Sequence, residues 1–296
     1  MFDEVGGAEG LREVAALFNT ALDLENQAFL LNSLGTIESR CMRRAGYAGY
    51  QVARIDPQDL YPPGADFTDL DLWLLDDLEE VRRVGYGFVQ SVRDRRATSF
   101  DPDGGGDPYD TSRMTAEERA AFDLALFGSP DEYVTYVESE GSTDRVRTGG
   151  CVGQARATIY GDVAEWFRLR SLRSDLEAEL WPRVRSDRGL RSALGAWSRC
   201  MGDRGFDVRA PDDAAELVGS SIGERPLEEV QALEVEIAVA DLECRREVDL
   251  LRFFGAAYVT AAREVLAEWE DDLVAFRRLE QEAVERAKAA LAETGP

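Results

Sequence analysis

The stretch Ser39-Arg40-Cys41-Met42 returns as Ser198-Arg199-Cys200-Met201, and no other feature of the chain limits its fold as strongly. Each copy closes a helix-like run. A glycine and an aromatic residue follow each one, Gly46-Tyr47 and Gly205-Phe206. The other two cysteines share a second setting: Cys151 opens C-V-G-Q-A and Cys244 opens C-R-R-E-V, both fitting C-x-x-[Q/E]-[A/V]. The order of helix-end cysteine, intervening segment and second cysteine thus occurs twice, and it predicts the pairs Cys41–Cys151 and Cys200–Cys244. Sequence alone does not select among the connectivities that such a set permits. A disulfide between packed antiparallel helices is feasible where both Cβ vectors point at the contact.

Other uses of the cysteines are weaker. A zinc site would need all four thiolates, with no C-x-x-C pair and no histidine to help. A nucleophilic cysteine normally takes its base from histidine, which the chain lacks. Four separate buried thiols remain the plain alternative, and the leading one for a cytosolic protein.

The net charge of -24 favours solubility and argues against nucleic acid or an anionic membrane as partner. It suits a cationic, neutral or metal-bridged one. Lys288 is the only lysine among many arginines, a bias expected of a high-GC bacterial genome. No apolar run approaches the ~18 residues of a membrane span. Met1-Phe2-Asp3-Glu4 lacks the basic and apolar regions of a signal peptide, which sets a cytosolic location with reduced cysteines against an extracytoplasmic one.

Apolar spacing predicts a helix from Glu9 to Ala45 ending at Gly46, and a proline-rich loop to Phe67. A second helix is expected from Thr68 or Asp69 to Val84, interrupted by Gly85-Tyr86-Gly87. Thr115 with Glu118 makes a capping box for a short helix through Phe127. Residues 131–148 are ambiguous: Tyr133 to Val137 reads as a strand or as one more helical turn. Gly149-Gly150-Cys151 opens a helix through Tyr160, and Pro182 should bend or split the run that starts at Asp162. Ser186 or Asp187 can cap the next helix, and Ala214–Val218 suggests a helical turn. From Pro226 to Glu293 one apolar stripe continues; unbroken, that helix would be ~100 Å long, so a break near Gly255 or a projecting end is expected. Glu280 to Glu293 is polar with an alanine seam, as expected of a projecting or partner-binding end, including self-association through the C-terminal helix, and equally of an end that frays into solvent.

The candidate sites each have a bland counterpart. Asp101, Asp103, Asp107 and Asp110 surround three glycines and are weak calcium candidates; Ser112 stands where an EF-hand needs its closing acid. Gly149 to Gly153 is neither G-x-G-x-x-G nor a Walker loop. Arg168, Arg170, Arg173, Arg183, Arg185, Arg188 and Arg191 could hold an anionic ligand, yet acids interleave with them and intrahelical pairs are the default. Trp166, Trp197 and Trp269 lie on apolar stripes and read as core before they read as a carbohydrate platform. No catalytic residue and no cofactor site emerges.

The stretches above, with Gly150-Cys151-Val152-Gly153-Gln154-Ala155 ahead of Ile159-Tyr160-Gly161-Asp162, resemble a large group of uncharacterised actinobacterial exported proteins and lipoproteins. So do Ala196-Trp197-Ser198-Arg199-Cys200-Met201 and Val239-Ala240-Asp241-Leu242-Glu243-Cys244-Arg245. The resemblance runs from about Leu30 to Trp269. It implies an extracytoplasmic, predominantly helical protein with the cysteines paired as above, and it brings no activity. The chain departs from the pattern at its start, which has no export signal and no lipid-attachment cysteine.

We therefore expect an all-α protein of two loosely repeated helical units, each with a disulfide, plus a long C-terminal helix. The units would be 1–161, with long loops, and 162–296, a helical hairpin and long helix, or one continuous domain. The expected role is a non-enzymatic extracytoplasmic binding or scaffold protein facing another protein or a cell-envelope component. The rivals are a carboxylate-based hydrolase, with or without calcium, and a cytosolic helical adaptor with reduced cysteines.

Overall fold

A computed structural model describes residues 7–18, 22–60, 69–97, 109–139 and 141–292. Among them the chain forms thirteen α-helices and one two-stranded hairpin, an all-α class with the long C-terminal helix in place. It divides into two compact units, each assembled from separate stretches. Unit 1 gathers Met1–Ala16, Tyr61–Phe100 and Glu179–Ala267; unit 2 gathers Leu17–Leu60, Asp101–Ala178 and Glu268–Pro296. The expected boundary between 161 and 162 falls inside unit 2, and the division passes instead within a helix, between Ala178 and Glu179.

Unit 1 contains α1 (Gly7–Ala16), α3 (Asp69–Trp73), α4 (Leu78–Val84), α5 (Phe88–Ala97), α9 (Arg188–Asp203), α10 (Pro211–Gly219), α11 (Leu227–Glu247) and α12 (Leu250–Glu268). Its central element is α11, which packs against α4, α5, α9 and α10 and buries Val230, Ile237 and Leu242. Unit 2 contains α2 (Leu24–Arg44), α6 (Ala116–Phe127), the hairpin β1 (Tyr133–Val137) and β2 (Thr143–Arg147), α7 (Gly150–Tyr160) and α13 (Glu270–Ala292). There α7 is central, packed against α2, α6 and α13. The remaining helix, α8 (Val163–Ser186), contributes to both units.

The expected caps are present at Thr115, whose hydroxyl and Glu118 form the reciprocal box, and at Asp187, which accepts from the Leu190 amide at 2.8 Å. Several expected helices differ from the observed ones. The run from Glu9 to Ala45 is two helices, α1 and α2, with Asp23 capping the second. The run to Val84 is likewise divided into α3 and α4, because Asp77 accepts from the Glu79 and Glu80 amides and starts a new helix. Pro182 does not split α8.

The long C-terminal stripe breaks at Val248–Asp249 and at Trp269, not at Gly255, which lies within α12. Asp249 sits at φ 54, a left-handed conformation that its short polar side chain tolerates, and its carboxylate holds Arg252 at 2.6 Å. Apolar periodicity passed over both breaks because a stripe constrains which face is buried, not whether one helix carries all of it. The alanine seam of α13 is also used internally. Ala283, Val284 and Ala287 are buried in the cluster that includes Leu30, Ile159 and Trp166, while Arg286 donates to the Ile159 carbonyl at the end of α7.

Candidate functional site

The two stapled corners are the most fully built features of the described residues. Cys41 is joined to Cys151 and Cys200 to Cys244, with Cα–Cα separations of 5.5 and 5.7 Å. In each unit the first cysteine lies in the last turn of a peripheral helix, and the second lies on the central helix, α7 or α11.

The corners match in backbone detail. Gly46 and Gly205 take φ values of 105° and 95°, which turn the chain out of α2 and α9. The Tyr47 amide then donates to the Met42 carbonyl and the Phe206 amide to the Met201 carbonyl, each at 3.0 Å. This six-to-one bond satisfies a carbonyl left over at the helix end. Both methionines are fully buried. Both serines tie the departing chain back to the helix: Ser39 Oγ accepts from the Val52 amide at 3.0 Å, and Ser198 Oγ donates to the Val208 carbonyl at 2.5 Å.

Beneath the corners the units diverge. Three residues before Cys200 stands Trp197, wholly buried, whose Nε1 donates to Asp241 at 2.9 Å. Asp241 also receives two bonds from Arg245, each at 2.6 Å, and one from Tyr86 Oη at 3.0 Å. Arg245 spends its remaining arm on the Leu72 carbonyl at 2.6 Å. The Tyr86 hydroxyl is held well above its ordinary pKa, first by burial and then by the neighbouring Asp241 charge. A buried ion pair of this kind is tolerable because both carboxylate oxygens and all three guanidinium nitrogens have hydrogen-bond partners.

A second buried acid on α11, Glu234, serves a different end. Its carboxylate accepts from the Phe88 and Val89 amides at 2.7 and 3.2 Å and so caps α5 from another helix. Burial raises its pKa, and those amide bonds offset part of the rise. Gly85 is required beside it, since a Cβ there would lie 2.4 Å from Glu234 Cγ.

In unit 2 the position three before Cys41 is Glu38, which accepts a hydrogen bond from Tyr50 Oη. Burial pushes the Glu38 carboxyl upward, opposed by that bond and by the charge of Arg156. The rest of this corner is aromatic. Tyr109 stacks on Phe122 with centroids 5.7 Å apart, and Tyr47 meets Phe122 edge-on at 5.0 Å.

The arginines of α8 and the start of α9 do not form an anion site. Arg168 is bonded to Glu165 and to Asp272, each at 2.9 Å, Arg173 to Glu177 and Arg183 to Glu179. Arg170 and Arg185 lie over Trp166 and Trp181. Arg188 and Arg191 are exposed. Trp166 stacks on Tyr160 at 4.2 Å, and burial raises the Tyr160 hydroxyl to about 12. Trp269, the residue that separates α12 from α13 in the sequence, is half-buried.

Of the calcium candidates, Asp101, Asp103 and Asp107 lie outside the described residues. Asp110 is exposed and accepts from the Ser112 amide at 3.0 Å. Among the described residues no three His, Cys, Asp or Glu side chains gather to hold a metal, and no helix is long and apolar enough to cross a membrane. An open hollow of about 340 Å³ in unit 1 is lined in part by Arg209, Asp213, Glu216 and Leu217; Asp213 is already engaged by the Arg209 and Ala210 amides.

The Asp241–Arg245 network and the hairpin were not anticipated from the sequence. The first had a visible signal, an acid and an arginine four apart on the helix that carries Cys244. The second had only the alternation from Tyr133 to Val137. No family model, no curated protein and no solved structure matches this chain.

Proposed function

We propose that the protein is a non-enzymatic helical scaffold or binding protein that works outside the cytoplasm and presents its surface to another protein or a cell-envelope component. The observation that carries this reading is the placement of the staples. One disulfide lies within each compact unit and ties a peripheral helix to that unit's central one. Such bonds persist in oxidising compartments.

The use of the buried acids supports a structural role over a hydrolytic one. Asp175 accepts from Tyr136 Oη and from the Ser139 amide, Glu234 caps a helix, and Asp241 is enclosed by three donor side chains. A carboxylate hydrolase instead needs two acids flanking a substrate space.

Non-reducing peptide mapping of protein alkylated as it is recovered from the cells that make it tests the reading. Both bridges, Cys41–Cys151 and Cys200–Cys244, are expected intact. Alkylated, unbridged cysteines at all four positions would overturn the extracytoplasmic assignment in favour of a cytosolic adaptor.

A further inference from the structure

The hairpin of unit 2 is a two-stranded sheet with a defined register, Tyr133 opposite Arg147 and Val137 opposite Thr143. The Thr148 amide donates to the Glu132 carbonyl and the Glu138 amide to the Ser142 carbonyl, each at 3.0 Å. These bonds fix the alternation of the ladder. Val134 and Tyr136 exchange hydrogen bonds with β2, whereas the N–H and C=O groups of Thr135 and Val137 point away from it. Among the described residues, neither has a backbone partner on that outer edge.

The hairpin is anchored from its inner face. Val134, Tyr136 and Val146 pack inward on the cluster around Ile159 and Trp166. Asp175 of α8 anchors the end of β1 through Tyr136 Oη and the Ser139 amide. The opposite edge, on β2, is already engaged at the Arg147 carbonyl, which accepts from Arg156 at 2.8 Å.

The outward row of β1 is Tyr133, Thr135 and Val137, all exposed, with Val137 at 63%. Across it reaches Arg145, its guanidinium carbon 4.7 Å from the Tyr133 ring centre. Arg145 and Arg147 stand on the face of β2 opposite Thr135 and Tyr133, while Asp144, paired with Tyr136, alternates onto the other face.

We propose that the free edge of β1 is a docking site for an extended peptide strand of a partner protein that carries an acidic side chain facing Arg145. The backbone groups of Thr135 and Val137 specify an extended chain, because only another strand presents donors and acceptors at their spacing. Arg145 specifies the acid. A second copy of β1 fits less well, since its own outward row offers no carboxylate to Arg145. This deepens the scaffold reading by naming a surface and partner chemistry, and it does not depend on compartment.

The test is amide hydrogen exchange of the full chain with a short peptide of alternating threonine and glutamate, and with its threonine–glutamine counterpart. Exchange should slow at Thr135 and Val137 but not at Val134 and Tyr136, which already bond to β2. The glutamate peptide should bind about fivefold more tightly than the glutamine one, as for an exposed charge pair. Thr135→Pro removes an outward donor without touching the ladder and should weaken binding about tenfold or more. Arg145→Gln should abolish the preference for glutamate while leaving the hairpin intact. Unchanged exchange at Thr135 and Val137 with millimolar peptide overturns the proposal, as does equal preference for the two peptides in the wild type. A dimer that Thr135→Pro dissolves also overturns it, by showing that a second copy occupies the edge. These outcomes leave the peptide-mapping result on compartment untouched.

Discussion

The corner of unit 1 at Cys200 and the corner of unit 2 at Cys41 are alike outside and unlike inside. Both end a helix on a buried methionine, turn on a left-handed glycine, return an aromatic amide to the methionine carbonyl and staple the helix to the central one. Under the first lies a buried, hydrogen-bonded charge network of Trp197, Asp241, Arg245 and Tyr86. Under the second lies an aromatic cluster with one acid, Glu38, bonded to Tyr50. The repeated motif therefore encodes a way of ending and fastening a helix. The interior it covers is set by residues outside the motif, on elements distant in sequence.

The staples themselves should give the largest effects and should separate the two units. Their sequence separations are 110 and 44 residues. Loop-closure entropy then assigns about 5 kcal/mol to Cys41–Cys151 and about 4 kcal/mol to Cys200–Cys244, both upper values. Denaturant unfolding of the paired serine variants, Cys41→Ser with Cys151→Ser and Cys200→Ser with Cys244→Ser, measures the difference. A greater loss from the shorter loop would mean that local packing outweighs chain entropy at one corner.

The interiors differ next. Arg245 follows Cys244 as Val152 follows Cys151. Arg245→Ala leaves Asp241 buried without its ion-pair partner and should cost about 3–5 kcal/mol. Val152→Ala removes only a half-buried aliphatic group and should cost about 1 kcal/mol. Chemical denaturation of each variant checks the ratio; equal losses would erase the contrast between the two interiors.

The smallest effect probes what the corners share. A Cβ added at Gly46 or Gly205 would meet no atom within 4 Å, so the only penalty is the left-handed backbone. Gly46→Ala and Gly205→Ala should each cost about 1 kcal/mol. Thermal melts that separate the two by much more than this would show that the corners are not one device used twice.

Much of this fold was legible because its signals are local. The Thr115–Glu118 box, the Asp187 cap, the turn at Gly46 and the paired settings of the cysteines all depend on residues a few positions apart. What could not be read has long-range causes. Glu234 caps α5 across 146 residues of sequence, and Arg245 reaches the Leu72 carbonyl across 173. Nothing near Phe88 announces that its amide will be satisfied by a distant helix. The hairpin was ambiguous for the same reason: Tyr133 to Val137 becomes a strand because β2 pairs with it and Val134 and Tyr136 find an apolar surface. Similarly, the alanine seam of α13 reads as an exposed partner-binding face until α7 and α2 are seen to occupy it.

The sequence by itself determined the helical class, the ends of several helices, the matched settings of the cysteines and the strongly acidic character, since periodicity, capping chemistry and charge are properties of neighbouring residues. Only the tertiary structure decided that the two units interleave along the chain, which acids are buried and with what partners, and that Tyr133 to Val137 pairs with β2 as a strand. Those outcomes depend on which surfaces meet, and burial free energy is shared among segments that no local pattern connects.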